Sequence, residues 1–153
     1  GAARYKRCLV PVHGFYEWHH APGLKVPFYI KRKDDRPFAL AGLYEDWTNP
    51  QTGEIMNTFN IITTNANPLL EKIHNSKKRM PVILPEEMEQ EWIDPEGDQK
   101  QLKNLLIPFP ENELSAHSIS RRILNRELDI TDESILEPKD YKETQDLFGD
   151  EDS

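Results

Sequence analysis

The chain has 153 residues, 37% of them hydrophobic and 30% charged: one domain's length of polar sequence with enough apolar content for a core. Its longest apolar run, Phe38-Ala39-Leu40-Ala41-Gly42-Leu43-Tyr44, is too short to cross a bilayer, and its single cysteine, Cys8, excludes an internal disulfide framework and a cysteine-rich zinc module. The net charge of −8 is uneven, +5 over residues 1–83 and −13 over residues 84–153, which argues against indiscriminate nucleic-acid binding but leaves room for a local basic surface in the first half.

The first half reads as strands. Cys8-Leu9-Val10-Pro11-Val12 is short and β-rich, and Gly14 supplies a bend before Phe15-Tyr16-Glu17-Trp18. Ala21-Pro22-Gly23 is a turn signal leading into Phe28-Tyr29-Ile30-Lys31-Arg32. Asp34-Asp35-Arg36-Pro37 turns again into Phe38 to Trp47, which has the look of a central strand buried on both faces. A hairpin loop at Asn49-Pro50-Gln51-Thr52-Gly53 returns the chain through a β-branched strand from Ile55 to Thr64.

The second half is mixed. Asn67 is placed to cap a short helix with Pro68 at its first position, running through Leu69-Leu70-Glu71-Lys72-Ile73. Met80 to Leu84 is extended. Pro85-Glu86-Glu87 opens a helix whose apolar stripe is Met88, Trp92 and Ile93, and Asp98 is placed to cap another through Leu102, Leu105 and Leu106. His117-Ser118-Ile119 reads as a late strand. The expected class is α+β with a mostly antiparallel sheet in one domain over residues 1–138. Residues 139–153 are expected to form an acidic, solvated tail, since Glu137 to Ser153 holds seven acids and two lysines without an apolar period.

Two residues invite chemistry. Glu17 is flanked by aromatics in a strand too apolar to be wholly exposed. A carboxyl held against aromatic surface is desolvated, which raises its pKa and suits it to proton transfer near neutrality. Strand alternation would equally point it outward between inward aromatics. His74 ends the short helix and precedes Lys77-Lys78-Arg79, where it can protonate a leaving oxygen while the basic run holds a phosphate. It can equally be a solvated helix-end histidine favoured by the dipole. Residue type leaves both questions open. His19 and His20 are adjacent on a strand, so they face opposite ways and do not share an ion; no metal site and no cofactor are expected. No Gly-x-Ser-x-Gly, Walker loop or GxGxxG is present. Lys31-Arg32-Lys33, Lys77-Lys78-Arg79 and Arg121-Arg122, with Trp18, Tyr29 and Trp47, read either as a groove tracking a single strand or as solvated loops.

Longer motifs decide between these readings. Arg7-Cys8-Leu9-Val10-Pro11-Val12-His13-Gly14-Phe15-Tyr16-Glu17-Trp18 strongly resembles the RCL-P-x-x-G-[FY]-[FY]-E-W segment of the SRAP family, the SOS response-associated peptidases. The likeness continues through Phe38 to Tyr44, Asn60 to Asn67, Ile73-His74, Arg79 to Leu84, Ile119 to Asn125 and Ile135 to Pro138. It implies an α+β, mostly antiparallel sheet or open barrel flanked by short helices. It also implies a sensor of abasic sites in single-stranded DNA that bonds to them through an N-terminal cysteine: the α-amine forms an imine with the sugar aldehyde and the thiol closes a thiazolidine. In that scheme Glu17 and His74 are catalytic, the first a proton shuttle and the second an acid that opens the sugar ring. Thr63 lines the pocket, Arg79 contacts DNA phosphate, and Trp18 shapes the site.

The resemblance further implies a self-processing peptidase activity that exposes the cysteine. It implies single-stranded DNA with abasic sites as partner, no membrane, a monomer, and a bacterial cytoplasmic or eukaryotic nuclear location. Two departures matter. The family's Met-Cys-Gly start and an upstream asparagine are absent, and Cys8, inside the RCL motif, is expected to be a small core residue. The chain is therefore expected to be the larger C-terminal part of such a protein and to form no thiazolidine by itself. The loop Asn75-Ser76-Lys77-Lys78 is also longer than in many members, so Lys77 or Lys78 is an alternative to Arg79. The alternative reading is a non-covalent single-stranded-DNA-binding module; a peptidase acting on other proteins is a more distant third.

Overall fold

The computed structural model describes residues 6–129 and 131–149. In chain order the strands are β1 (Arg7–Val12), β2 (Gly14–Ala21), β3 (Leu24–Arg32), β4 (Phe38–Thr48), β5 (Ile55–Ile61), β6 (Thr63–Asn65), β7 (Arg79–Pro81), β8 (Ile83–Leu84) and β9 (Leu114–Ser118). Among the described residues three short α-helices join them, α1 (Pro68–Ile73), α2 (Glu89–Ile93) and α3 (Gln99–Asn104), with single 3-10 turns between. The fold is α+β, and β1 to β5, β8 and β9 pair antiparallel in two sheets. The contacts divide into two compact units: one of Gly1–Val12, Pro37–Asn65 and Met80–Phe109, the other of His13–Arg36, Ala66–Arg79 and Pro110–Ser153.

In the first unit β4 lies between β1 on one edge and β5 and β8 on the other. Cys8 stands opposite Gly42, where a Cβ would come within 2.7 Å of the Cys8 sulfur, so the motif glycine makes room for the motif cysteine. At the point where β4 changes partner, three backbone groups close a ring. Ile62 N–H bonds to Ala41 O, Ala41 N–H to Val82 O and Val82 N–H to Ile62 O, each at 2.9 Å. That exchange ends β5 at Ile61, so the single strand expected from Ile55 to Thr64 is two. Phe38 to Gly42 are buried, as expected, but Tyr44 to Thr48 are exposed, because this half of β4 continues with β5 as a two-stranded ribbon.

Ala41, Val82, Leu84, Trp92, Leu102 and Leu105 form this unit's core. The expected helix after Pro85 is a 3-10 turn at Glu86–Met88 followed by α2, and Asp98 does cap α3 by accepting the Lys100 N–H. Arg7, only 5% exposed, ties β1 to this layer. Its guanidinium donates to the carbonyls of Trp92 and Asp94 at the C-terminal end of α2, where helix carbonyls lack internal partners. In return the Trp92 indole N–H donates to the Cys8 carbonyl at 3.0 Å.

The second unit is built on the sheet β2-β3-β9. Gly23, at φ +71°, makes the β2–β3 turn that Pro22-Gly23 announces. Val26, Phe28 and Ile30 of β3 are buried, as are Leu70 and Ile73 of α1, which lies on β2. Asn67 accepts the Leu70 N–H at 2.9 Å with Pro68 at the first turn, as its sequence predicts.

Residues 139–149, read from sequence as part of a solvated tail, are fastened instead. Tyr141 donates to the Ile119 carbonyl at 3.0 Å and Phe148 meets Phe28 edge-on at 5.9 Å, so two aromatics anchor a segment whose acids face solvent. The end of that expectation, residues 150–153, lies outside the described residues.

Arg7→Met keeps the aliphatic stem but takes the guanidinium from the Trp92 carbonyl and leaves the Asp94 carbonyl with the Gly97 N–H. Since hydrogen bonds to a charged donor are worth roughly 1.5–3 kcal/mol, the variant is expected to lose about that much stability, read as a lower urea midpoint at unchanged slope.

Candidate active site

Alternation along β2 puts Phe15, Glu17 and His19 on one face and Gly14, Tyr16, Trp18 and His20 on the other. α1 ends on the Glu17 side. Its last residue, Ile73, is fully buried, and the next, His74, is the cap residue, its N–H bonded to the Leu70 carbonyl at 2.7 Å. The buried turn of α1 therefore delivers His74 to Glu17: imidazole Nδ1 lies 3.7 Å from carboxylate Oε2, with both side chains about four-fifths buried (18% and 20% exposed).

The imidazole has a defined orientation. Nδ1 is 2.8 Å from the backbone carbonyl of Arg79. A carbonyl only accepts, so Nδ1 carries the hydrogen, and Nε2 is the nitrogen left to take or give a proton. The chain returns to supply that carbonyl through Asn75–Lys78. Lys78 N–H bonds to His74 O at 2.9 Å, the Lys78 carbonyl accepts from Ala66, and Lys78 sits at φ +50°. A left-handed non-glycine residue closes this loop.

Burial raises the Glu17 pKa above its ordinary value; the charge of His74 and the N–H of Trp18 oppose the rise without cancelling it. A carboxyl with a raised pKa beside an imidazole with one free nitrogen is an acid–base pair.

Of the five residues singled out from sequence, the fold brings Glu17 and His74 together. Arg79, at the start of β7 with an exposed side chain, joins them through its carbonyl. Trp18 follows Glu17 but turns to the opposite face of β2. Thr63 belongs to the first unit, exposed at the start of β6. The Arg79 carbonyl carries no side-chain signal and was out of reach of sequence. His19 was not, because it shares Glu17's face by simple alternation.

Two of the basic clusters are partly neutralised by local acids. Lys31 donates to Asp35 at 2.7 Å, Arg32 pairs with Asp34, and Arg122 pairs with Asp132 at 3.0 Å. Lys77 and Lys78 are exposed in the loop beside His74. Among the described residues no three His, Cys, Asp or Glu side chains are grouped to hold a metal ion.

The family model of SOS response associated peptidase (SRAP) matches residues 1–126. The chain belongs to the SRAP family. Its similarity to the abasic site processing protein YoqW of Bacillus subtilis is 44% identity over 117 residues, covering 75% of this chain and 50% of that protein. With the abasic site processing protein YobE of the same organism the identity is 41% over 125 residues, covering 80% of this chain and 55% of YobE. A crystal structure of a protein from Bacteroides thetaiotaomicron superposes with a TM-score of 0.84 at 38% identity, covering 90% of this chain and 59% of that one. The SRAP chain described here thus spans about half the length of the curated relatives it matches.

The raised Glu17 pKa fixes a pH dependence. Above the ordinary glutamate value of 4.5, the native state of this SRAP chain holds the Glu17 proton more tightly than the unfolded state. Stability is therefore fully favoured by this group below that pH and falls as pH rises through the raised pKa, with a slope of at most about 1.4 kcal/mol per pH unit. In urea titrations across pH, Glu17→Gln is expected to lack that fall.

Proposed function

We propose that this chain is the acid–base part of an abasic-site processing protein that bonds covalently to the open-chain aldehyde of an abasic sugar in single-stranded DNA. The observation that carries the reading is the largely buried Glu17–His74 pair with its tautomer set by the Arg79 carbonyl; family membership and the names of the relatives support it.

In the proposed reaction a proton taken up at Nε2 of His74 passes to the sugar ring oxygen, breaking the C1′–O4′ bond while the 1′-hydroxyl gives its proton to water, which yields the aldehyde and returns His74 to its Nδ1–H form. The α-amine of an N-terminal cysteine adds to C1′. Glu17 moves a proton from that nitrogen to the C1′ hydroxyl, which leaves as water to form the imine. The thiol then adds across C=N, sulfur to carbon and proton to nitrogen, closing a thiazolidine. No redox partner is needed. Arg79, with Lys77 and Lys78 beside it, is assigned to DNA phosphate, and Trp18 is assigned a shaping role.

Cys8 does not supply the nucleophile. Its nitrogen is an amide within β1, without the basic lone pair an imine requires, and burial raises its thiol pKa. The 153 residues by themselves are therefore expected to form no adduct.

The test is a denaturing gel of the natural full-length protein with abasic and undamaged single strands. A retarded band with the abasic strand alone is expected. Glu17→Gln should slow its appearance by about 10²-fold, the low end for general acid–base catalysis, while leaving affinity for the undamaged strand nearly unchanged. No band from a protein that still binds the strand would overturn the covalent reading in favour of a binding module.

A further inference from the structure

The Glu17–His74 distance is held by two further side chains. His19 is 7% exposed and lies two residues after Glu17 on the same face of β2. Its Nδ1 is 2.9 Å from the Lys72 carbonyl and 3.3 Å from that of Ile73. Both partners only accept, so His19 donates a shared N–H into the last turn of α1, where helix carbonyls have no internal donors. On the other side of His74, the Asn75 amide spans the backbone of His20. Its oxygen accepts the His20 N–H at 3.0 Å and its nitrogen donates to the His20 carbonyl at 2.9 Å. β2 is an edge strand of its sheet, and at His20 the Asn75 side chain stands where the next strand's peptide would.

We infer that His19 and Asn75 are positioning residues of the Glu17–His74 pair: they pin residues 73 and 75 to adjacent positions of β2 and so set the reach of the imidazole between them to the carboxylate. The inference deepens the acid–base reading of this site and rests on it. It also gives the adjacent histidines separate tasks. His19 works through its ring and His20 through its peptide group, an arrangement that needs no shared metal.

The geometry explains why two anchors are used. α1 has six residues, too short to be stable by itself, so its end would fray without tertiary support. Fraying there would move His74 before any other residue of the site. A single hydrogen bond from His19 fixes the carbonyl side of that end; Asn75 fixes the chain as it leaves. Glu17 needs no such device, being held in the middle of a paired strand opposite Phe28.

A merely structural role would loosen the unit without specifically uncoupling the pair, so the test is a cycle. The Glu17 carboxyl is titrated by carbon NMR in the wild-type protein, in His19→Leu, in His74→Gln and in the double variant. The charge of His74 lowers the Glu17 pKa, whereas burial raises it and the Trp18 N–H lowers it independently of His74. His74→Gln should therefore raise the titration midpoint. His19→Leu should raise it by at least half as much in the wild-type background and not at all in the His74→Gln background.

Asn75→Ala removes only an exposed side chain and should act in the same direction. It carries the test alone if His19→Leu does not fold. An unmoved midpoint in the folded variants overturns the inference, and so does an equal rise with and without His74. The titration uses no DNA, so its failure is separate from a failure of the adduct gel.

Discussion

The register of β2 on β3 is the constraint on which the site depends. A slip of one residue would exchange the faces of β2, sending Tyr16 and Trp18 toward α1 and Glu17 and His19 away from it. Two features pin the register. At one end the tight Pro22-Gly23 turn fixes how Ala21 meets Leu24. At the other, the Tyr29 ring lies across Gly14, where a Cβ would come within 2.5 Å of its hydroxyl and Cζ, and its hydroxyl meets Nδ1 of His13 at 3.0 Å. His13 in turn donates from Nε2 to the Asp35 carbonyl, holding the far end of the β3–β4 connection. The motif glycine is thus a register mark: only a residue without a side chain leaves space for the tyrosine that locks the strand.

Charge organises the same unit on a shorter scale. Lys31-Arg32-Lys33 looks basic when counted by itself, yet Asp34 and Asp35 follow at once and fold back on it. Asp35 does so from a left-handed conformation at φ 58°, and the lysine beside it lowers its pKa. Such a cluster is a turn clasp, not a phosphate track. Positive charge that remains beside the acid–base pair is carried by the loop that returns from His74 to Arg79. In the proposed function this places phosphate contacts next to the reacting sugar instead of along an extended groove.

What was legible in the sequence was local. The hairpin turns, the Asn67 cap with Pro68 behind it, and the Asp98 cap each rest on side chains within a few residues of the backbone they satisfy. The α+β class followed from them. What stayed hidden depends on partners far along the chain. Arg7 meets α2 across some 85 positions, and nothing near Arg7 announces it. The exposed half of β4 and the break at Ile62 follow from the ring of backbone bonds with Ala41 and Val82, and backbone groups carry no residue-specific signal. The tail was misread because acid content outweighed Tyr141 and Phe148, although two aromatics suffice to hold a short segment on a sheet. Glu17 and His74 were ambiguous by residue type and were singled out only by the motifs around them. Their meeting required the buried turn of α1, a tertiary fact.

Under the proposed function, cysteine chemistry separates the role of Cys8 from that of the nucleophile. A thiazolidine needs an amine and a thiol on the same residue, and every peptide-linked cysteine has surrendered the amine to an amide. Cys8 shows the consequence. Its carbonyl accepts from Trp92 and its sulfur lies against Gly42, yet it is only partly buried and stands outside the core expected of it. The chemistry that the described residues do hold is the handling of protons: a carboxyl kept from water, an imidazole with one nitrogen occupied and one free, and a helix end fastened so that the two stay within 4 Å. Proton transfer tolerates little error in distance, whereas a terminal nucleophile can be delivered by a flexible arm. Within the proposed function, the rigid sheet and short helix serve Glu17 and His74, and the bond-forming amine and thiol are assigned to a terminal cysteine.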